Sequence, residues 1–282
     1  MRTVLITGSS SGFGLLASVT LATRGWKVIA TMRDLSRRTE LEVLAAKAGV
    51  SGSIVIEQLD VTDSAQLGQR ATALLALAGG QLEAVVHNAG VAVAAAFEDL
   101  PERELNRVMD TNFFGPLDLT RALLPSFRAA RRGRMVFVSS DSAFAGEPTN
   151  AIYCASKFAL EGFAESLAYE VEPFGVHVIL IEPGPYRTEI WRNSPRLRSA
   201  GTAYGPLLDK LWPAVDKHVA KTAGDPQEVA NAIAKALDAK RPRFRYPVGT
   251  TARIGLLLRG KIPTTLMRRA ISRYLGINKV KL

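Results

Sequence analysis

The 282-residue sequence predicts an α/β fold, a doubly wound parallel sheet of about seven strands with helices on both faces, in one domain. Three observations predict it. Short apolar runs rich in β-branched residues recur along the chain, stretches with helical spacing separate them, and a glycine-rich turn joins the first run to the first helical stretch.

The runs are Val4-Leu5-Ile6, Val28-Ile29-Ala30, Ile54-Val55-Ile56, Ala84-Val85-Val86, Met135-Val136-Phe137-Val138 and Val178-Ile179-Leu180-Ile181, with residues 244–248 adding a last strand. They are apolar throughout rather than alternating, as strands covered on both faces are. Helical spacing fills residues 15–23, 65–77, 102–128 and 155–171. A later helix opens at Asp225-Pro226-Gln227-Glu228, with an acidic N-cap, proline at the first helical position and a glutamate placed for a capping box. Residues 185–221, rich in Pro, Gly, Trp and Tyr, interrupt the alternation and read as a helical cap inserted over a site.

Composition narrows the class. Hydrophobic residues make up 47% and charged residues 22%, enough apolar material for a large core. Apolar stretches such as 71–78 and 254–258 fall short of the roughly 20 residues that cross a bilayer. Cys154 has no partner in the chain, so no disulfide framework or cysteine-held zinc is available, and the expected compartment is the reducing cytoplasm. The start, Met1-Arg2-Thr3-Val4, enters a strand at once, leaving no room for a secretory signal. Residues 239–282 hold 12 Lys/Arg and no Asp/Glu, so the whole net charge of +10 lies in the tail.

The turn reads Gly8-Ser9-Ser10-Ser11-Gly12-Phe13-Gly14. Placed between strand and helix, it lets a dinucleotide pyrophosphate approach the backbone and the positive end of the helix. Glycine needed only for a tight turn is the plainer alternative. Cofactor choice is read at the end of the second strand, where an acid accepts from the ribose hydroxyls of NAD and a base pairs with the 2′-phosphate of NADP. Arg33 stands there, and Asp34 one step later reads as the start of a turn, so NADP(H) is expected with NAD(H) as the alternative.

Tyr153 and Lys157 are four residues apart on a helix and share one face. A nearby ammonium favours phenolate, which would bring the phenol into the working range of a proton donor and acceptor.

Taken in order, Thr7-Gly8-x3-Gly12-x-Gly14, Asn88-Ala89-Gly90, Asn112, Ser140, Tyr153-x3-Lys157 and Pro183-Gly184 resemble the signature of the short-chain dehydrogenase/reductase family, a Rossmann fold, over residues 3–190. Residues 153–162 resemble the branch of the 17β-hydroxysteroid and retinol dehydrogenases. The resemblance implies that Ser140 polarises the substrate oxygen, Tyr153 gives or takes the proton, Lys157 also holds the nicotinamide ribose, and Asn112 anchors a water chain behind the lysine. It places Ser10, Ser11 and Phe13 with the glycines at the cofactor, and Asp60 and Val61 beside the adenine. Asn88, Ala89 and Gly90 then support sheet and cofactor, while Pro183, Gly184, Tyr186 and Thr188 surround the carboxamide. It also implies a homodimer or homotetramer.

His87, His177 and His218 are isolated, so no metal is expected. The aromatic and apolar residues Tyr186, Trp191, Tyr204, Leu207, Leu208, Leu211 and Trp212 suggest an apolar substrate under the cap, or simply pack the cap onto the body. In the basic extension, residues 249–282, Arg253, Arg259, Lys261, Arg268, Arg269 and Arg273 are interleaved with Ile254, Leu256-Leu257-Leu258, Ile262, Leu266-Met267 and Ile271, which suits peripheral contact with anionic membrane or a solvated face. No nucleic-acid motif accompanies the charge. The expected function is hydride transfer between NADP(H) and a carbonyl or secondary alcohol. A binding-only sensor and a nucleotide-sugar epimerase are the alternatives.

Overall fold

Residues 2–280 are described by a computed structural model, apart from the side chains of Trp191, Arg192, Tyr274 and Lys279. Each apolar run forms a strand: β1 (Thr3–Thr7), β2 (Lys27–Met32), β3 (Ile54–Gln58), β4 (Ala84–His87), β5 (Gly133–Val138), β6 (Val176–Pro183) and β7 (Arg245–Val248). All neighbours are parallel, in the order β3-β2-β1-β4-β5-β6-β7. The order reverses between β1 and β4, and the strand ends part there to leave a crevice for a ligand.

Two apolar layers hold the sheet. Helices α1 (Gly12–Thr23), α2 (Thr39–Lys47) and α9 (Gln227–Asp238) cover one face, packing Leu15, Leu21, Leu41 and Ile233 against Val4, Ile6 and Val28. Helices α3 (Ser64–Leu77), α5 (Gly115–Ala130) and α6 (Ala151–Val171) cover the other, packing Leu67, Leu123 and Leu160 against Leu5, Val85 and Phe137. Each such buried side chain contributes about 1.5–3 kcal/mol from the removal of apolar surface from water.

The helical stretch over 102–128 is not uniform. It divides into α4 (Glu102–Met109), a π-helical turn over Asp110–Phe114, and α5. Hydrophobic spacing does not foresee the extra residue of such a turn, which often marks a functional position. The start of α9 also differs from expectation. Asp225 accepts from Gln227 N over 2.9 Å as a cap should, but Glu228 closes no capping box, because its carboxylate accepts from the Tyr186 hydroxyl over 2.8 Å.

The cap region contains α7 (Glu189–Asn193) and α8 (Gly205–Thr222). Beyond β7 the extension forms α10 (Thr250–Leu258) and α11 (Thr264–Tyr274). Among the described residues no helix is long and apolar enough to cross a membrane.

Candidate active site

The glycine turn lies at the crevice between β1 and β4. Gly8 has φ +70°, and a Cβ there would stand 2.7 Å from Ala89 Cα. At Gly14 a Cβ would meet Gly8 O at 2.3 Å and Asn88 Nδ2 at 2.4 Å. Both positions therefore exclude any side chain. Asn88 locks the turn by donating from Nδ2 to Thr7 O (2.9 Å) and Gly8 O (3.0 Å), while Asn88 N and Ala89 N donate to Thr7 Oγ1. Ser9 is fully buried and bonded inward to Ile6 O, leaving Ser10, Ser11 and Gly12 on the open side of the turn. Ser11 precedes α1 without capping it through its side chain, and no acid occupies the first helical turn. A positive helix end framed by close backbone is built for a pyrophosphate.

At the end of β2 the Arg33 side chain is exposed. Asp34 turns away to cap the following turn, its Oδ1 accepting from Ser36 N over 2.9 Å, and those bonds hold its carboxyl below the usual range. Asp60 likewise spends Oδ1 on Thr62, accepting from its N–H (2.9 Å) and its hydroxyl (2.8 Å). Val61 is buried against the start of α5, where a Cβ on Gly115 would lie 2.6 Å from Val61 O. The loop after β6 returns to the turn: Thr188 approaches Gly12, and Phe13 meets the Tyr186 ring edge-on at 5.8 Å. Pro183 ends β6, and a Cβ on Gly184 would collide with Thr251 Oγ1 at 2.2 Å.

The expected catalytic side chains come together from three elements. Lys157 is buried on α6, and its Nζ donates to Val138 O over 2.9 Å and stands 5.8 Å from the centre of the Tyr153 ring. Burial lowers the Lys157 ammonium to about 8, against the opposing pull of Glu161. Burial raises the Tyr153 phenol above its ordinary value, with a hydrogen bond to Ser140 acting the other way. The lowering expected from Lys157 therefore does not prevail in the resting pocket, where burial keeps the phenol protonated. Ser140 directly follows β5 and Ser139, its Oγ accepting from Ser142 N (3.1 Å) and facing Asp141 Oδ1 at 3.3 Å. Burial, with Glu147 adding to it, pushes Asp141 up to about 7.

Asn112 sits in the π-helical turn and takes hold of Val91 from both sides. Its Oδ1 accepts from Val91 N and its Nδ2 donates to Val91 O, each over 2.9 Å, and Nδ2 also reaches Ser156 Oγ at 3.1 Å. The Asn112 side chain is thus bonded to the loop carrying Gly90, whose Cβ position lies 3.9 Å from Lys157 Nζ.

The cap supplies fewer free apolar side chains than its sequence suggests. Tyr186, Leu208 and Leu211 are buried in packing, and Tyr204 donates to Glu98 over 2.9 Å. The side chain of Trp191 lies outside the described residues. Leu207 and Trp212 remain half-buried. His87 is a neutral core residue, stacked on Phe137 at 4.6 Å, beside Thr120 Oγ1 at 3.1 Å and lowered to about 3 by burial. A cleft of about 830 Å³ between α9, β7 and α10, lined by Lys235, Arg243, Tyr246 and Arg253, contains none of the expected site residues.

A family model described as short chain dehydrogenase matches residues 2–198. Bovine (Bos taurus) retinol dehydrogenase 8 is 38% identical over 261 residues, 88% of this chain and 82% of its own. Human (Homo sapiens) 17-beta-hydroxysteroid dehydrogenase type 1 is 38% identical over 277 residues, covering 92% and 80% respectively. A solved short-chain dehydrogenase from Streptomyces avermitilis superposes with a TM-score of 0.80 at 32% identity, covering 99% of this chain and 97% of that one.

Proposed function

Because the chain belongs to the short-chain dehydrogenase/reductase family, oxidoreductases that act on alcohol and ketone groups with a nicotinamide dinucleotide, we propose that it is an NADP(H)-dependent reductase of an apolar ketone. The observation that carries this reading is the meeting of Ser140, Tyr153 and Lys157 at the crevice where the glycine turn lies.

Bound in that crevice, the dinucleotide supplies the hydride. Ser10, Ser11, Gly12, Phe13 and the N-terminal end of α1 hold its pyrophosphate, with Gly8 and Gly14 giving the backbone room. Asp60 and Val61 would flank the adenine, Asn88, Ala89 and Gly90 would form the floor, and Pro183, Gly184, Thr188 and the backbone of Tyr186, whose side chain is buried, would lie at the carboxamide. Arg33, free of the turn that absorbs Asp34, pairs with the 2′-phosphate.

Ser140 donates to the substrate oxygen and orients it. The Tyr153 hydroxyl, protonated at rest, passes its proton to that oxygen as negative charge develops. The Lys157 ammonium stabilises the phenolate left behind and holds the nicotinamide ribose. Asn112 acts through Val91 and Gly90, fixing the wall against which the ammonium stands.

Two relatives are named for retinol and for a hydroxysteroid, both apolar alcohols, and the segment 185–221 touches the loops at the crevice end of the sheet, Thr188 approaching Gly12 and Arg196 bridging Ala94. Among the described cap side chains, Leu207 and Trp212 are half-buried, Trp212 with the Arg196 guanidinium 5.6 Å over its ring, and these would be the ones to meet such a substrate. The enzyme works in the cytoplasm as a homodimer or homotetramer, and α10 and α11 rest on anionic membrane through exposed Ile254, Leu257 and Leu266 amid cations. A ketone panel graded by hydrophobicity tests the substrate reading. Turnover rising with hydrophobicity supports it, and best turnover of small polar ketones overturns it.

A further inference from the structure

Directly behind the catalytic pair lies a group of charges that hydride transfer does not itself require. The Glu161 and Glu182 side chains are both 0% exposed. Glu161 Oε1 accepts from Ser139 Oγ over 2.9 Å, and its Oε2 accepts from Arg245 (2.9 Å) and Arg259 (2.7 Å). Arg245 on β7 also pairs with Glu182 on β6 and Glu165 on α6, and Arg259 stands 3.8 Å from Glu165.

The placement of this group is specific. Val138 and Ser139 are consecutive at the end of β5, and Lys157 and Glu161 are one turn apart on α6. Lys157 donates to the Val138 carbonyl while Ser139 donates to the Glu161 carboxylate. The two bonds tie the same strand end to the same helix face, and Ser140 is the next residue. Arg259 comes from the far end of α10, in the basic extension beyond the last strand.

We propose that Glu161 is a positioning residue of the catalytic centre, holding Ser139 and the Lys157 ammonium in register, and that Arg259 of the C-terminal extension governs how much of its charge Lys157 feels. The proposal rests on the oxidoreductase reading of Tyr153 and Lys157. An opposite charge stabilises a buried ammonium, and a third charge that neutralises the first weakens the effect. The groups facing Glu161 are Lys157 and Glu165 on its own helix, Ser139 after β5, Glu182 on β6, Arg245 on β7 and Arg259 on the extension. Asp141 and Glu147 face the Tyr153 end of the pair. Removing the Glu161 charge makes the Lys157 ammonium easier to deprotonate, and removing the Arg259 charge makes it harder. A role confined to packing predicts no such opposition of sign.

The test is an NMR titration of protein carrying carbon-13 in its lysine side chains, with no cofactor or ketone added. The Lys157 signal is identified by its loss in Lys157→Arg. With the wild-type midpoint at about 8, Glu161→Gln is expected to lower it by about one pH unit, a tenfold change in proton affinity. Arg259→Gln is expected to raise it, and Arg259→Lys to restore it. Wild-type midpoints in both Gln variants, or shifts of the same sign, overturn the proposal. Should Glu161→Gln fail to fold, the Arg259 variants decide alone, since that side chain is 32% exposed and its loss leaves Arg245 on the carboxylate. Failure of the oxidoreductase reading is a separate result, absence of NADPH turnover, which this titration does not measure.

Discussion

The Lys157 ammonium stands 5.8 Å from the centre of the Tyr153 ring, held there by its bond to the Val138 carbonyl. Lys157 is buried and Tyr153 half-buried, and loss of solvent moves them in opposite senses: it raises the phenol and lowers the ammonium. The resting pair is therefore a protonated phenol beside a cation that loses its charge at about 8, an arrangement set for proton delivery.

That arrangement fixes the direction of the pH dependence. Reduction needs the phenol proton and the ammonium charge, and both are lost as pH rises. At limiting NADPH and ketone, where the rate reports the free enzyme, reduction is expected to fall as pH passes about 8, while oxidation of the alcohol rises over the same interval. Parallel profiles in the two directions would contradict the assignment.

Asp141 adds a second titrating group. Its carboxyl lies 3.3 Å from Ser140 Oγ and titrates at about 7. Its ionisation places a negative charge beside Ser140, the serine proposed to bind the substrate oxygen, and disfavours phenolate. Asp141→Asn is expected to remove an inflection near pH 7 from the profile of kcat/KM and leave the one near 8. An unaltered profile would show that Asp141 does not reach the reacting oxygen.

Arg33→Asp tests the cofactor preference. Loss of a charge-assisted contact to a phosphate, with like-charge repulsion in its place, is expected to weaken NADPH by about tenfold or more and leave NADH little changed. Fluorescence titration reads both affinities. Equal losses would place Arg33 outside the 2′-phosphate site.

Gly8→Ala tests the pyrophosphate turn. The φ of +70° and the 2.7 Å approach to Ala89 Cα leave no room for a methyl group. Strain of this kind costs about 1–3 kcal/mol, so the thermal midpoint is expected to fall along with nucleotide affinity. A variant as stable as wild type, with unchanged NADPH binding, would show that the turn yields freely.

The sheet was legible because its strands are buried on both faces and stand out as unbroken apolar runs. Tyr153 and Lys157 were legible because four-residue spacing on a helix is a local fact. Long-range facts were not. The π-helical turn that aims Asn112 interrupts a stretch whose hydrophobic spacing continues through it. Tyr186 reads as a cap aromatic, yet it is buried between Phe13 and Glu228, residues distant in sequence. Glu161 reads as an ordinary helix acid, and only the return of β7 and α10 brings Arg245 and Arg259 onto it.

The most direct test of the account is NADPH consumption with a graded ketone panel, wild type against Tyr153→Phe, in protein shown to bind NADPH. The account predicts turnover that falls by about 10²-fold or more in the variant while NADPH affinity is kept. Turnover indifferent to Tyr153, or tight NADPH binding with no ketone reduced, would contradict it, and the second result would identify a nucleotide sensor.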